Sequence, residues 1–268
     1  MKLPLFQVDA FTAVPFAGNP AAVCVLETDL EPSLMQKIAA EMNLSETAFV
    51  RPEGDSHLLR WFTPKVEVDL CGHATLATAH VLLSEGFAAP NTMLAFETRS
   101  GRLKACRSAK GWIQLDFPVE APYEFQPPAD VPDSLRSGGI VFAGRNRWDY
   151  FFEMESEKLV REMEPDFAAL GSATERGVVV TSRADSSEFD FVSRFFAPAV
   201  GIDEDPVTGS AHCCLAPYWA ERLGKTSMKA FQASARGGVL EVETCEDRVF
   251  IRGQAVTVLR AELDLAEG

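Results

Sequence analysis

The chain has 268 residues, 47% hydrophobic and 24% charged, the balance of a globular protein, and at roughly 150 residues per domain it is long enough for about two. Acidic residues outnumber basic ones 39 to 25, a formal net charge of −14. Such a surface repels phosphate backbones and anionic bilayers, so nucleic acid and membranes are excluded as partners. An anionic substrate would need a site that is positive against the field of the whole protein.

The opening MKLPLFQVDAF carries Gln7 and Asp9 where a signal peptide needs an unbroken apolar run. The uncharged run Leu70 to Leu83 is too short to span a bilayer and holds two histidines. Six scattered cysteines, none in a zinc-knuckle or CxxC spacing, point to reduced thiols in a cytoplasmic protein. In chain order, LPLFQVDAF and AAVCVLE read as strands, and Leu34 to Met42 as a short helix started by Asp29 and Pro32. HLLRWFT, MLAFET, RLKAC and WIQLDF follow as strands, with a helix from Gly72 that closes at Gly86. Five prolines between Pro118 and Pro132 mark an extended linker, dividing the chain into halves 1–118 and 119–268, with a last strand that can cross back to the first half. GGIVFAG, DYFFEME, GVVVTS and DFVSRFFAP are then strands, and TGSAHCCLAPYWAERLG a helix ending at Gly224. VLEVE, RVFIRG and AVTVLRAEL close the chain as strands.

The two long helices open alike, each after an aspartate and a short glycine-bearing turn, and aligning Gly72 with Gly209 also aligns Ala74 with Ala211 and Ala79 with Ala216. A duplicated fold with one central helix per half follows from this order of elements. Two helix N-termini then answer the charge problem, because their free N–H groups and positive ends bind anions without lysine or arginine.

Four strings carry chemistry. Glu46, between a short helix and an apolar strand, is either a partly desolvated proton-transfer group or an ordinary solvated turn residue. His73 at a helix start should stay neutral and hydrogen-bond a substrate, or be a structural histidine satisfied by a local carbonyl. Asp205-Pro-Val-Thr-Gly-Ser offers donors at Gly209 and Ser210, or is a plain turn capped by Thr208. Gly18-Asn19-Pro20 has turn chemistry. Cys71 precedes a helix start, where a thiol becomes more acidic, whereas its counterpart in the second half is Thr208. The histidines share no metal-ligand spacing, so no metal site is expected.

Taken together, VDAFTAVPFAGNPAAV, SETAFV, LRWFTPKVEVDLCGHATLATA, RFFAPAVGIDEDPVTGSAH with LAPYW and LGK, and RGGVL resemble the PhzF family of phenazine-biosynthesis-like isomerases, over nearly the whole chain and in order. The resemblance implies an α+β diaminopimelate epimerase-like fold of two similar halves, each a rolled β-sheet around a central α-helix, with the active site in a cleft between them. It implies a homodimer, no cofactor and a small anionic metabolite as ligand. Its catalytic residues fall on Glu46, His73, Asp205 and Ser210, and its substrate-binding positions on Asn19, Gly72, Gly209 and Ser210. Two other activities fit the same residues: an epimerase using Cys71 with a carboxylate, and a non-catalytic metabolite-binding protein of this fold.

Overall fold

The computed structural model describes residues 2–108 and 110–265. By its internal packing the chain forms two units, one running to Asp116 and resuming at Arg252, the other Phe117–Ile251. The first unit holds β1 (Lys2–Ala10), β2 (Asn19–Val25), α1 (Pro32–Met42), β3 (Glu46–Glu53), β4 (Ser56–Phe62), β5 (Glu67–Val68), α2 (Gly72–Ser84), β6 (Leu94–Thr98), β7 (Gly101–Arg107) and β8 (Ile113–Pro118). The second holds β9 (Tyr123–Glu124), α3 (Asp130–Ser134), β10 (Ile140–Arg145), β11 (Asp149–Met154), α4 (Glu157–Glu162), α5 (Phe167–Ala173), β12 (Gly177–Arg183), β13 (Phe191–Ala197), β14 (Ile202–Glu204), α6 (Gly209–Leu223), β15 (Ser227–Gln232), β16 (Gly238–Cys245) and β17 (Arg248–Gly253). β18 (Ala255–Asp264) belongs to the first unit again, antiparallel to β1.

Within each unit the strands follow one plan. In the first, β1 and β2 are antiparallel, β2 and β3 parallel, β3 and β4 antiparallel, β4 and β5 antiparallel, β4 and β6 parallel, β6 and β7 antiparallel. In the second, β10 to β16 repeat these relations in the same order. The register matches as well. Thr47 faces Phe62, which faces Glu67; Val178 faces Phe196, which faces Glu204. Arg60 grips Glu67 with Nε at 2.7 Å and Nη2 at 2.8 Å, and Arg194 grips Glu204 at 2.7 and 2.9 Å. Each guanidinium also lies over the phenylalanine two residues on, Phe62 at 5.2 Å and Phe196 at 4.8 Å. Phe62 thus corresponds to Phe196, Glu46 to Gly177 and Ser45 to Arg176.

The strands β2, β12 and β13 are buried on both faces because their side chains alternate between two helical layers. Ala22 and Cys24 of β2 pack with Met35 and Ile38 of α1, whereas Ala21 and Val23 are buried on the opposite side. Val178 and Val180 of β12 join Val131, Val160 and Leu170 of α3 to α5, while Thr181 accepts a hydrogen bond from Trp219 Nε1 of α6 at 3.0 Å. α2 carries no charged side chain and is buried almost all round, as an uncharged helix wrapped by a sheet must be. α6 tolerates Pro217 in its interior because the Cys213 carbonyl that proline cannot serve accepts the Glu120 N–H at 3.1 Å.

The helix α2 runs to Ser84, with Glu85 as its C-cap and Gly86 following at φ +87°, the glycine stop expected there. One sequence expectation changes. The proline-rich stretch is not featureless: Tyr123–Glu124 pairs with β10, and α3 seats Val131 in the core. The first unit ends at Asp116, and the strand after Arg252 pairs within it. No helix among the described residues is long and apolar enough to cross a membrane.

Candidate active site

The first unit gathers its chemistry where β2 and β3 begin and α2 starts. Gly18 makes the entry to β2: its φ is +66°, and a Cβ there would lie 2.2 Å from the Ala10 carbonyl oxygen, so no other residue fits. That turn delivers Asn19, fully buried, with Nδ2 3.1 Å from His73 Nδ1. An amide nitrogen only donates, so Nδ1 accepts and the imidazole proton sits on Nε2. From there it meets Glu46 Oε2 at 3.2 Å, with Ser45 Oγ at 3.4 Å. Glu46 opens β3 and is about one-seventh exposed at its side chain; His73 lies one residue into the first turn of α2.

A carboxylate at 3.2 Å favours imidazolium, but burial of the whole ring opposes it and prevails. His73 is pushed down to about 3 and is neutral at physiological pH. The positive end of α2 acts in the same direction. Cys71, the N-cap of α2, is buried with Sγ 3.6 Å from His73 Nδ1. Glu46, Cys71 and His73 therefore offer a carboxylate oxygen, a sulfur and a ring nitrogen all within 4.8 Å. The sulfur adjoins Nδ1 and the carboxylate adjoins Nε2, and the three form a set of metal-ligating types that the histidine spacing did not announce.

In the second unit the turn before α6 is clamped from β15. Gln232, fully buried, donates from Nε2 to the Asp205 carbonyl at 2.7 Å, and its Oε1 accepts from the Thr208 N–H at 2.8 Å. Thr208 is the N-cap by backbone, yet its hydroxyl donates to Asp205 Oδ2 at 2.6 Å and does not cap the helix. The plain capped turn is therefore not what the sequence forms here. Gly209 and Ser210 open α6, and Ser210 Oγ accepts from Arg176 Nη2 at 2.7 Å. Arg176 in turn lies 3.2 Å from Asp149, a carboxylate 1% exposed that burial pushes up to about 6 against the pull of the arginine.

Glu46, His73 and Asn19 are thus brought together in one unit, and Asp205, Gly209 and Ser210 in the other, with Gly72 at the start of α2. His80 bonds Thr257 at 3.1 Å and takes no part. His212 is buried in α6 with Nδ1 2.8 Å from the Thr208 carbonyl. All six cysteines are free. Sequence reasoning missed Ser45, Asp149, Arg176 and Gln232.

Two similar halves, each a rolled sheet about a buried helix with reactive groups at the helix start, define the epimerase-like class of α+β folds. At 18% identity, a structure described as a predicted epimerase from Pseudomonas aeruginosa shares this fold, with a TM-score of 0.76 over 98% of this chain and all of that one. The family model for phenazine biosynthesis-like proteins (PhzC–PhzF) matches residues 8–261, and the chain belongs to that family. An uncharacterized isomerase of Halalkalibacterium halodurans is 53% identical over 266 residues, 98% of this chain and 99% of that protein. The crystal structure of a PhzF family protein from Enterococcus faecalis superposes with a TM-score of 0.93 at 45% identity, covering 99% of this chain and all of the other.

Proposed function

We propose that this protein is a cofactor-independent isomerase that moves a proton on a small carboxylate-bearing metabolite, amino-acid-like or cyclic, with Glu46 as general acid and base. The observation that carries the reading is the Asn19–His73–Glu46 chain, in which a neutral imidazole places Nε2 3.2 Å from Glu46 Oε2. The imidazole holds one carboxylate oxygen, and the other meets the substrate. Glu46 takes a proton from an activated carbon, the C–H electron pair spreads along a conjugated system toward the substrate carboxylate, and the proton returns from Glu46 at another carbon. Atoms and charge balance within the substrate, so no oxidant or reductant is required. Asp205 and Ser210 are proposed as further participants, and free N–H groups at a helix start, Gly72 in α2 or Gly209 and Ser210 in α6, can hold a carboxylate, a stabilisation of a few kcal/mol for developing enolate charge. The homodimer implied by the family resemblance belongs to this proposal.

Cys71, 3.6 Å from the same imidazole, supports a second reading as the base of an epimerase. It has no thiol counterpart, because Thr208 holds the corresponding N-cap of α6. Cys71→Ala tests this second reading, which pairs the thiol with a carboxylate, and Glu46→Gln tests the first. With the acid/base lost, uptake of solvent deuterium into product stops; uptake at the wild-type rate in that variant refutes the role of Glu46.

A further inference from the structure

The matched register of the two units pairs each reactive position with a counterpart. His73 and Ser210 are both the second residue of their central helix. Glu46 and Gly177 are both the first residue of the strand parallel to its predecessor, and Ser45 and Arg176 precede them. The first unit thus sets a carboxylate on an imidazole, whereas the second sets a guanidinium on a hydroxyl.

The second arrangement is built, not incidental. Asp149 opens β11, is 1% exposed and lies 3.2 Å from Arg176 Nη1. Phe195 lies against the guanidinium at 5.7 Å. Gly177 makes room for both neighbours: a Cβ there would lie 2.4 Å from Phe195 Cζ and 3.1 Å from Asp149 Oδ1. A carboxylate side chain at the counterpart of Glu46 is therefore sterically excluded, and the arginine one residue earlier is held by its anchor with its Nη2 on Ser210.

Guanidinium has donors only. Ser210 Oγ must accept from Nη2, which leaves the hydroxyl proton for a different acceptor, and the bond to a cation makes that proton a stronger donor. The geometry points to Arg176 as a positioning residue that, tethered by Asp149, fixes the Ser210 hydroxyl as a hydrogen-bond donor to the carboxylate of the substrate at the start of α6. This rests on the proposed isomerase reading, in which α6 holds a carboxylate; neither Arg176 nor Asp149 was picked out by the sequence motifs.

Benzoate serves as the carboxylate probe, titrated into the full-length protein while the amide resonances of Gly209 and Ser210 are followed by NMR. The expected result is a shift of both amides in the wild type and affinity about ten-fold weaker in Arg176→Met, the scale of one charged hydrogen bond. Arg176→Lys, which keeps a cation and a donor, should recover part of that loss, and Asp149→Asn should weaken binding with the arginine still present. In a Ser210→Ala background, Arg176→Met should cost less than about two-fold, because the group it positions is gone. Equal losses in both backgrounds, or no loss in either, overturn the positioning role. Absence of any shift at Gly209 and Ser210 in the wild type overturns the carboxylate site itself, and the role of Arg176 with it. Retained amide dispersion and thermal midpoint in each variant separate these outcomes from misfolding.

Discussion

Replacing Asn19 by aspartate tests the relay at its root. In the wild type, burial holds His73 down to about 3, so its ring does not titrate near neutrality. The substitution puts a carboxylate where Nδ2 now stands, 3.1 Å from Nδ1. At an effective dielectric of about 20, two unit charges at that separation attract by about 5 kcal/mol, or about four pKa units. The new carboxylate is itself buried at a fully covered position, which consumes part of this gain. The sign is unambiguous: His73 moves up, from about 3 to above about 5, and a share of it becomes imidazolium between pH 5 and 7. The assay is an NMR titration of the histidine ring protons, with His73→Gln assigning the resonance. The wild type should be silent from pH 8 to 4, Asn19→Leu should stay silent, and Asn19→Asp should titrate. A His73 ring that remains silent at pH 5 in Asn19→Asp refutes the Asn19–His73 contact. Solvent deuterium uptake should fall by no more than about two-fold at pH 7 and further toward pH 5 in the same variant, since a carboxylate paired to a cation is the weaker base.

Three further outcomes follow from particular contacts. Cys71→Ala should keep deuterium uptake within a few-fold of wild type if Glu46 is the base; a loss of about a hundred-fold or more would support the thiol reading instead. His212 is pushed down to about 4 by burial, against 6.5 when exposed, so its contribution to stability is complete above pH 6.5 and is lost as pH falls toward 4. At pH 5 that loss is about 2 kcal/mol relative to pH 7.5, and urea melts of His212→Asn should show a pH dependence shallower by that amount; identical slopes would contradict it. Gly177→Ala should destabilise by about 1 to 3 kcal/mol in the same melts, because its Cβ meets Phe195 Cζ at 2.4 Å; a neutral effect would mean the two strands relax freely.

How much of this was legible in the sequence depended on whether the signal was periodic. The strands of both units and the two central helices show in apolar runs such as AAVCVLE, GVVVTS and GHATLATAHVLLS, because burial on both faces of a sheet or all round a helix removes charge over many consecutive residues. The helices α3, α4 and α5 do not show. They are five to seven residues long, too short for a 3.6-residue period to stand out. The duplication was visible in the order of elements and in the alike openings and small residues of the two helices, but the strands hide it because the spacing around the Arg–Glu pairs differs: Glu67 lies seven residues after Arg60, Glu204 ten after Arg194. That insertion hides RWF and RFF as one motif until strand register aligns them. Glu46, His73, Asp205 and Ser210 lie within recognisable strings, whereas Asp149, Arg176 and Gln232 are single polar residues at strand ends with no spacing to mark them. One signal did exist. Arg-Gly-Val at 176–178 occupies the place that Ser-Glu-Thr occupies at 45–47, a charge at the mouth of a buried strand in each half.

The acidic balance of the chain poses the remaining question, how a carboxylate could be held by a protein of charge −14. Arg176 does not answer it as a point charge. Its partner Asp149 is raised only to about 6, so above that pH the two groups are ionised together and nearly cancel at a distance. What the arginine adds is direction, through the hydrogen bond that commits Ser210 to donating. The positive potential must come from the start of α6, whose first-turn N–H groups carry it in every ionisation state. A cation in place of Gly177, or a bare arginine without Asp149, would add charge but lose the fixed geometry, and a second carboxylate at that position is excluded by Phe195 and Asp149. One copy of the duplicated plan therefore has room for an acid at the start of its parallel strand and the other does not. The two copies can share a fold without sharing a chemistry.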